Sequence, residues 1–209
     1  MSSSSVILKA KRTPIGSFLG NLSSFSASDL ASFVIQDILK DKRLKPDLIN
    51  EIILGNVLSA GQGQAPARQA ALKGGRVNST EALTINKMCG SGLKAVMLAD
   101  QAIRAGDSDI ILAGGMESMS NAPHLLKNSR NGNRLGHSQV ADSLIQDGLW
   151  DVYTRQHMGS CAELLVTERN YSRVDQDKFA IQSYLKALEA NKKELFKNEI
   201  VPISIKNSK

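Results

Sequence analysis

Apolar and polar positions in the first part of the chain form short apolar runs, separated by longer stretches with helical spacing. Short runs rich in Ile, Leu and Val predict strands at residues 6–10, 52–55 with 57–58, 84–86 and 109–113. Apolar residues at helical spacing predict helices at residues 28–40, with Ser28 as the cap, 65–73 and 93–105. This alternation predicts a doubly wound α/β fold, in which sites form at the carboxyl ends of parallel strands.

The pattern changes after Pro123. Residues 127–137 are polar, basic and interrupted by glycine, which predicts a long loop. Helices are predicted at residues 138–146, 158–169 and 174–194, the last with Ser172 as its cap, and a strand at residues 200–205. The chain therefore divides into two regions, residues 1–120 and residues 121–209.

Composition narrows the class of protein. Of 209 residues, 42% are hydrophobic and 4% aromatic, which predicts an aliphatic core in a globular chain. No apolar run approaches the ~18 residues of a membrane span, so we expect no membrane partner. The net charge of +6 comes from scattered Lys and Arg without an aromatic platform, so nucleic acid is not expected either. The two cysteines lack metal-ligand spacing, which predicts no metal site and fits a reducing, cytoplasmic compartment.

The candidate chemistry lies between a predicted strand and a predicted helix, in residues 86–92, N-K-M-C-G-S-G. Cys89 is expected at the first turn of the helix, where unpaired backbone N–H groups and the positive helix dipole favour a thiolate. Gly90 and Gly92 leave room for a substrate carbonyl, and the same N–H groups could bind an oxyanion. A buried structural cysteine in a glycine-containing turn is the alternative that these residues leave open.

Several separated motifs follow one another along the chain: K-A-K-R-T-P-I-G at 9–16, G-N-V at 55–57, N-K-M-C-G-S-G-L-K-A-V at 86–96, A-G-G-M-E-S-M-S-N-A-P at 113–123, D-G-L at 147–149, H-M-G at 157–159 and E-I-V-P at 199–202. In this order they resemble the motifs of the thiolases, specifically the acetyl-CoA acetyltransferases. The resemblance implies a thiolase-like N-terminal α/β domain, incomplete, at residues 1–120 and part of an inserted helical loop domain at residues 121–209. Thiolases of this type are roughly twice as long, so their C-terminal domain is absent here.

The resemblance also implies a chemistry. Cys89 would take an acyl group from acetyl-CoA, and a second acetyl-CoA would attack the acyl-enzyme to give acetoacetyl-CoA or a short-chain 3-ketoacyl-CoA. Leu149, His157 and Met158 would line the pantetheine and acyl pocket. Coenzyme A thioesters would be substrates, with no separate cofactor and no metal. Complete members are expected to be homotetramers, through contacts made by residues 127–137, and to serve fatty acid and ketone metabolism.

Two motifs of the family do not occur in these 209 residues: the histidine of a G-H-P segment and the second cysteine of a C-x-G segment. One hypothesis is therefore the N-terminal half of an acetyl-CoA acetyltransferase, completed by more chain or by a partner. Another is a stand-alone thiolase-like module without turnover that acts by assembly or coenzyme A binding. A 3-ketoacyl synthase shares the fold, but its flanking residues should differ.

Three further residues are predicted to have structural rather than chemical roles. Glu117 is predicted to be a carboxylate that ties a loop to backbone N–H groups. His157, apart from the role that the resemblance gives it, is expected to cap or pack at a helix start. Cys161 is predicted to pack in a core.

Overall fold

A computed structural model describes residues 4–76, 78–132 and 134–205. These form two compact units, one containing the described residues up to Gly148 together with those from Val201 onward, and the other Leu149–Ile200. The domain division near residue 120 stays a prediction.

The first unit is built on a parallel sheet of three strands, in the order β2-β1-β3. Its strands are β1 (Glu51–Gly55), β2 (Glu81–Ile85) and β3 (Ile111–Gly115). Residue Gly55 of β1 is level with Ile85 of β2 and Gly115 of β3, so all three carboxyl ends meet at one edge. The sequence predicts this sheet because the three apolar runs are separated by helical stretches long enough for crossover connections.

Helices cover both faces of the sheet, which confirms the predicted doubly wound α/β class. They are α1 (Ala27–Ile38), α2 (Pro66–Lys73) and α3 (Ser91–Ala105). On one face, Ile52 and Leu54 of β1 pack in a cluster with small residues of α1 and α2. The alanines of α2 are completely buried there, so α1 and α2 approach closely. α3 packs on β1 and β3.

The cap of α1 differs from the prediction. Ser26, rather than Ser28, accepts a hydrogen bond from Asp29 N (3.2 Å), and the Asp29 carboxylate accepts one from Ser26 N (3.1 Å). Ser28 is instead buried inside the helix. A reciprocal serine and aspartate pair satisfies two N–H groups at once, which explains why the helix begins one residue earlier than predicted.

The predicted first strand at residues 6–10 is wrong within the described structure. These residues belong to no strand, and Val6, Ile7 and Leu8 are 74%, 81% and 66% exposed. A groove of about 650 Å³ is lined by this segment, β3 and apolar side chains of α1 and α3. The apolar run at residues 6–10 therefore has no strand partner within the described residues.

Two predictions in the second region are also wrong. Residues 138–146 do not form an α-helix, because β5 (Val140–Asp142) pairs antiparallel with β4 (His124–Leu126). A π-helix follows at Leu144–Leu149. Residues 201–205 form no strand, although Val201 N donates to Arg12 O (2.8 Å). Residues 127–137, except Asn133, which lies outside the described residues, contain only a 3₁₀ turn at Ser129–Asn131, as a loop should.

The second unit contains a short hairpin and two helices. β6 (Trp150–Asp151) pairs antiparallel with β7 (Gln156–His157), and α4 (Met158–Arg169) and α5 (Arg173–Lys192) follow. α4 has the predicted bounds, and Ser172 caps α5 as predicted by accepting from Asp175 N. Cys161 on α4 is only partly buried, and Leu164 and Leu165 beside it are exposed, so the predicted core packing of this cysteine is not found.

Candidate active site

Cys89 lies at the carboxyl edge of the sheet, between β2 and α3. β2 ends at Ile85, and α3 begins at Ser91 with Gly90 as its N-cap. Gly90 has no side chain to bond the first turn of α3, so that turn keeps its positive end open to a ligand. The Cys89 side chain is exposed, which excludes the buried structural cysteine that the sequence left open.

The residue before Cys89 has an unusual backbone. Met88 has φ = +50°, in the left-handed region that costs a non-glycine residue roughly 1–2 kcal/mol. Its N–H donates to Asn86 Oδ1 (2.9 Å), and its carbonyl accepts from the Ser91 hydroxyl (2.6 Å). Ser91 Oγ in turn accepts from Lys87 N (2.8 Å). The turn that presents the thiol is therefore held by side chains at both of its ends.

Glycines let α3 approach the strands closely. A Cβ on Gly55 would lie 2.5 Å from Ser91 Cβ and 2.7 Å from Gly92 N, so only glycine fits at the end of β1. A Cβ on Gly115 would lie 3.2 Å from Gly92 Cα. The first turn of α3 thus rests directly on the ends of β1 and β3, and this places Cys89 where sites of α/β sheets form.

Glu117 holds the loop that follows β1 at the same edge. Its carboxylate accepts from Asn56 Nδ2 (2.7 Å), Val57 N (2.9 Å) and Leu58 N (3.3 Å). The predicted structural role of Glu117 is confirmed. Burial raises the pKa of Glu117, although the hydrogen bonds from Val57, Leu58 and Asn56 oppose that rise. The Val57 carbonyl also accepts a long bond from Asn86 Nδ2 (3.5 Å), which joins this loop to the turn before Cys89.

The three other predicted site residues lie in the second unit, while Cys89 lies in the first. Leu149 ends the π-helix and leads into β6, where Trp150 pairs with His157. His157 Nδ1 accepts from Gly159 N (3.1 Å), which confirms its expected capping role at α4. Met158 begins α4 and is 42% exposed. The β6–β7 hairpin therefore brings Leu149, His157 and Met158 together; their role toward a substrate stays a prediction.

Sequence reasoning missed Asn86 and Ser91. Both bond the backbone of Met88, and Ser91 is 4% exposed. A signal was present: an asparagine two residues before a turn position is typical of a side chain that accepts from that N–H group. Its meaning depends on the positive φ of Met88, which residue identity alone does not reveal.

Within residues 4–76, 78–132 and 134–205, no group of three or more His, Cys, Asp or Glu is arranged to hold a metal ion. Over the same residues, no helix is both long and apolar enough to cross a bilayer.

Comparison with known proteins gives a consistent result over almost the whole chain. A family model described as "Thiolase, N-terminal domain" matches residues 5–209. Proteins named "Probable acetyl-CoA acyltransferase" from Staphylococcus aureus strains MRSA252 and NCTC 8325 / PS 47 are each 50% identical over 204 residues. That alignment covers 98% of this chain and 52% of each relative, so the chain spans about half the length of the curated relatives it matches. The chain belongs to the thiolase family.

Proposed function

We propose that this chain carries the nucleophile of an acetyl-CoA C-acetyltransferase that forms or cleaves acetoacetyl-CoA or a short-chain 3-ketoacyl-CoA. The observation that supports this most is the exposed Cys89 thiol at the open positive end of α3. Such a position leaves the thiol accessible to a substrate and can supply backbone N–H groups to an oxyanion. The relatives named acetyl-CoA acyltransferases add the substrate class.

The proposed reaction has two steps. The Cys89 thiolate attacks the thioester carbonyl of one acetyl-CoA, a new C–S bond forms, and coenzyme A leaves as its thiolate and takes up a proton. A second acetyl-CoA, having lost its α proton to a base, attacks the acetyl group. A C–C bond forms, the acyl–Cys89 bond breaks, and acetoacetyl-CoA and the free thiolate result. The base would come from a part of the enzyme that these 209 residues do not contain, supplied by more chain or by a partner, and thiolysis is the reverse.

The remaining parts of the proposal concern binding and assembly. Leu149, His157 and Met158 would contact the pantetheine and acyl chain, and coenzyme A thioesters would be the reactants without a further cofactor. We place the enzyme in the cytoplasm, in fatty acid and ketone metabolism. The complete enzyme would be a dimer of dimers, and light scattering that gives a stable monomer for the complete enzyme would refute the tetramer.

Intact-mass analysis after incubation with acetyl-CoA tests the central point. We expect one acetyl adduct on the wild-type chain and none on Cys89→Ala. Circular dichroism of both proteins checks that they are folded. A folded wild type without an adduct would contradict an acyl acceptor at Cys89 in this chain.

The module without turnover makes a different prediction. It requires coenzyme A binding or assembly with no adduct, and titration calorimetry with coenzyme A would detect the binding. A 3-ketoacyl synthase would instead show decarboxylation of a malonyl thioester once the chain is completed.

A further inference from the structure

We propose that Ser91 and Asn86 are positioning residues that clamp Met88 in its left-handed conformation and so fix Cys89 at the start of α3. The inference rests on the proposed function in taking Cys89 as the nucleophile. Its physical basis is local: Met88 carries a Cβ in a conformation that glycine would normally occupy. Such a conformation persists only where its surroundings hold it.

Both backbone polar groups of Met88 are held by side chains. Asn86 Oδ1 accepts from the N–H at 2.9 Å, and the Ser91 hydroxyl donates to the carbonyl at 2.6 Å. Ser91 Oγ also accepts from Lys87 N at 2.8 Å, so one hydroxyl bridges the two residues that precede Cys89. The Met88 carbonyl also accepts from Ser91 N (3.0 Å), and Gly90 N donates to Lys87 O (3.2 Å), so only these backbone bonds would hold the turn once the side-chain bonds were removed. Met88 would then leave its left-handed conformation more readily, and Cys89 would move with it.

The Ser91 hydroxyl stabilises the turn before α3 rather than the first turn of the helix itself. The N-cap of α3 is Gly90, and the Ser91 hydroxyl bonds residues before the helix instead of the N–H groups within it. Its Cβ lies in the space that a side chain on Gly55 would need, so the end of β1 limits where the serine can go. The Ser91 hydroxyl is buried, its Cβ is confined by the end of β1, and its oxygen bonds the turn. It is therefore suited to fix the position of the turn that carries Cys89.

The test uses a pair of variants with the same shape. Threonine keeps the hydroxyl of Ser91, and valine replaces it with a methyl group of nearly equal volume. In a Cys161→Ala background, the rate at which iodoacetamide alkylates Cys89 is measured for Ser91→Thr and Ser91→Val. We expect Ser91→Val to react about tenfold more slowly than the parent, because a Cys89 displaced from the start of α3 loses the unpaired backbone N–H groups and the positive helix end beside it. Ser91→Thr carries the same additional methyl group but keeps the hydroxyl, so it should react faster than Ser91→Val.

Ser32 provides the matched control. It is also 4% exposed, and its hydroxyl also donates to a carbonyl three residues earlier, Asp29 O (2.7 Å), but it lies in α1. Ser32→Ala should leave the alkylation rate unchanged even if it lowers stability. Asn86→Leu removes the acceptor for Met88 N and should also react more slowly than the parent.

Amide exchange gives a second readout that does not depend on the thiol. Protection of the Lys87 N–H should be lost in Ser91→Val and kept in Ser91→Thr, since only threonine offers an acceptor. Equal alkylation rates for the threonine and valine variants would overturn the positioning role. The proposed function has a separate test, since it fails if wild-type Cys89 takes no acetyl group from acetyl-CoA.

Discussion

Glu117 is a single side chain on which the geometry of a whole loop depends. Its two carboxylate oxygens accept from two consecutive backbone N–H groups, those of Val57 and Leu58, and from the amide of Asn56. Asn56 is 2% exposed, so its amide has little access to water. Because buried donors are costly to leave unpaired, the carboxylate is needed although burial makes its ionisation unfavourable.

Glu117→Gln is expected to lower the free energy of unfolding by about 1–3 kcal/mol. Glutamine has one acceptor oxygen in place of two, and its NH₂ group would face N–H donors of the loop. Urea denaturation followed by circular dichroism measures the change. Glu168→Gln, at an exposed position on α4, serves as the control and should change stability by less than about 0.5 kcal/mol. Equal effects of the two substitutions would contradict the role of Glu117.

At the residue scale, sequence reasoning predicts the candidate nucleophile but not the residues that hold its turn. Cys89 and Glu117 could be found because a thiol or carboxylate beside glycines at a strand end already limits the possible roles. Asn86 and Ser91 could not, since their importance follows from a backbone angle at Met88 and from distances within the turn. A serine within the first residues of a helix is otherwise an ordinary helix-start residue.

At the scale of elements, the contact between α3 and the sheet depends on the absence of side chains. Gly55→Ala would bring a methyl group within 2.5–2.7 Å of the Ser91 and Gly92 backbone and Cβ atoms, so α3 must move. We expect a loss of about 1–3 kcal/mol in the free energy of unfolding, the usual cost of overpacking, and slower alkylation of Cys89. Chemical denaturation and iodoacetamide kinetics measure the two effects.

Gly114 gives the control for that prediction. The atom nearest to a Cβ at Gly114 is Leu54 Cδ2 at 3.9 Å, an ordinary contact distance, so Gly114→Ala should be close to neutral. If both alanine variants unfold at the same denaturant concentration, the close approach of α3 is not what requires glycine at position 55.

Two glutamates lie opposite each other at the start of the β1–β2 pair, and their repulsion makes the stability of the fold depend on pH. Glu51 and Glu81 are directly opposite each other. Burial, and then the charge of Glu81, raises the pKa of Glu51. A carboxyl whose pKa is higher in the folded state contributes stability at low pH and loses it as the pH rises through that raised value.

Glu81→Gln should therefore stabilise the chain at neutral pH by about 0.5 kcal/mol, since like charges in directly opposed positions destabilise a strand pair and solvent screens the exposed Glu81. The gain should shrink at acidic pH, where Glu51, whose pKa is raised, takes up a proton and no longer repels Glu81. Urea denaturation at pH 4 and pH 7 provides the comparison. A gain of the same size at both values would exclude charge repulsion as the cause.

The helices and strands also show which features local sequence patterns can predict and which they cannot. Helices α2, α3, α4 and α5 lie within two residues of their predicted bounds. Glycine ends α2 and α3, at Gly74 and Gly106, and Ser172 caps α5, so residue types at the helix ends carry much of this agreement. The helix predicted at residues 138–146 fails because residues 140–142 find a strand partner at residues 124–126. Such pairing joins segments distant in sequence, and local periodicity carries no information about it.

At the scale of the whole molecule, one edge of the sheet has no neighbouring strand within the described residues, although the sequence predicts a strand at residues 6–10. β3 pairs with β1 on one side, and within the described residues no strand pairs with its other side. The apolar segment Val6–Leu8 was predicted as a strand from its composition, yet it lies largely exposed beside the groove of about 650 Å³. The apolar run could be predicted from the sequence, but the partner that would make it a strand could not.

This exposed apolar surface predicts self-association of the chain, because apolar residues next to an unpaired strand edge offer a template for another chain. Sedimentation equilibrium should show an average mass that rises with concentration. Ile7→Lys replaces a residue that is 81% exposed with a charge, and should weaken association about tenfold, comparable with the loss of one buried aliphatic side chain. Leu135→Lys is the control, since Leu135 is fully exposed but does not line the groove. This variant should associate as strongly as the parent chain. If both lysine variants associate as the parent does, the groove and Val6–Leu8 are not the surface through which chains meet.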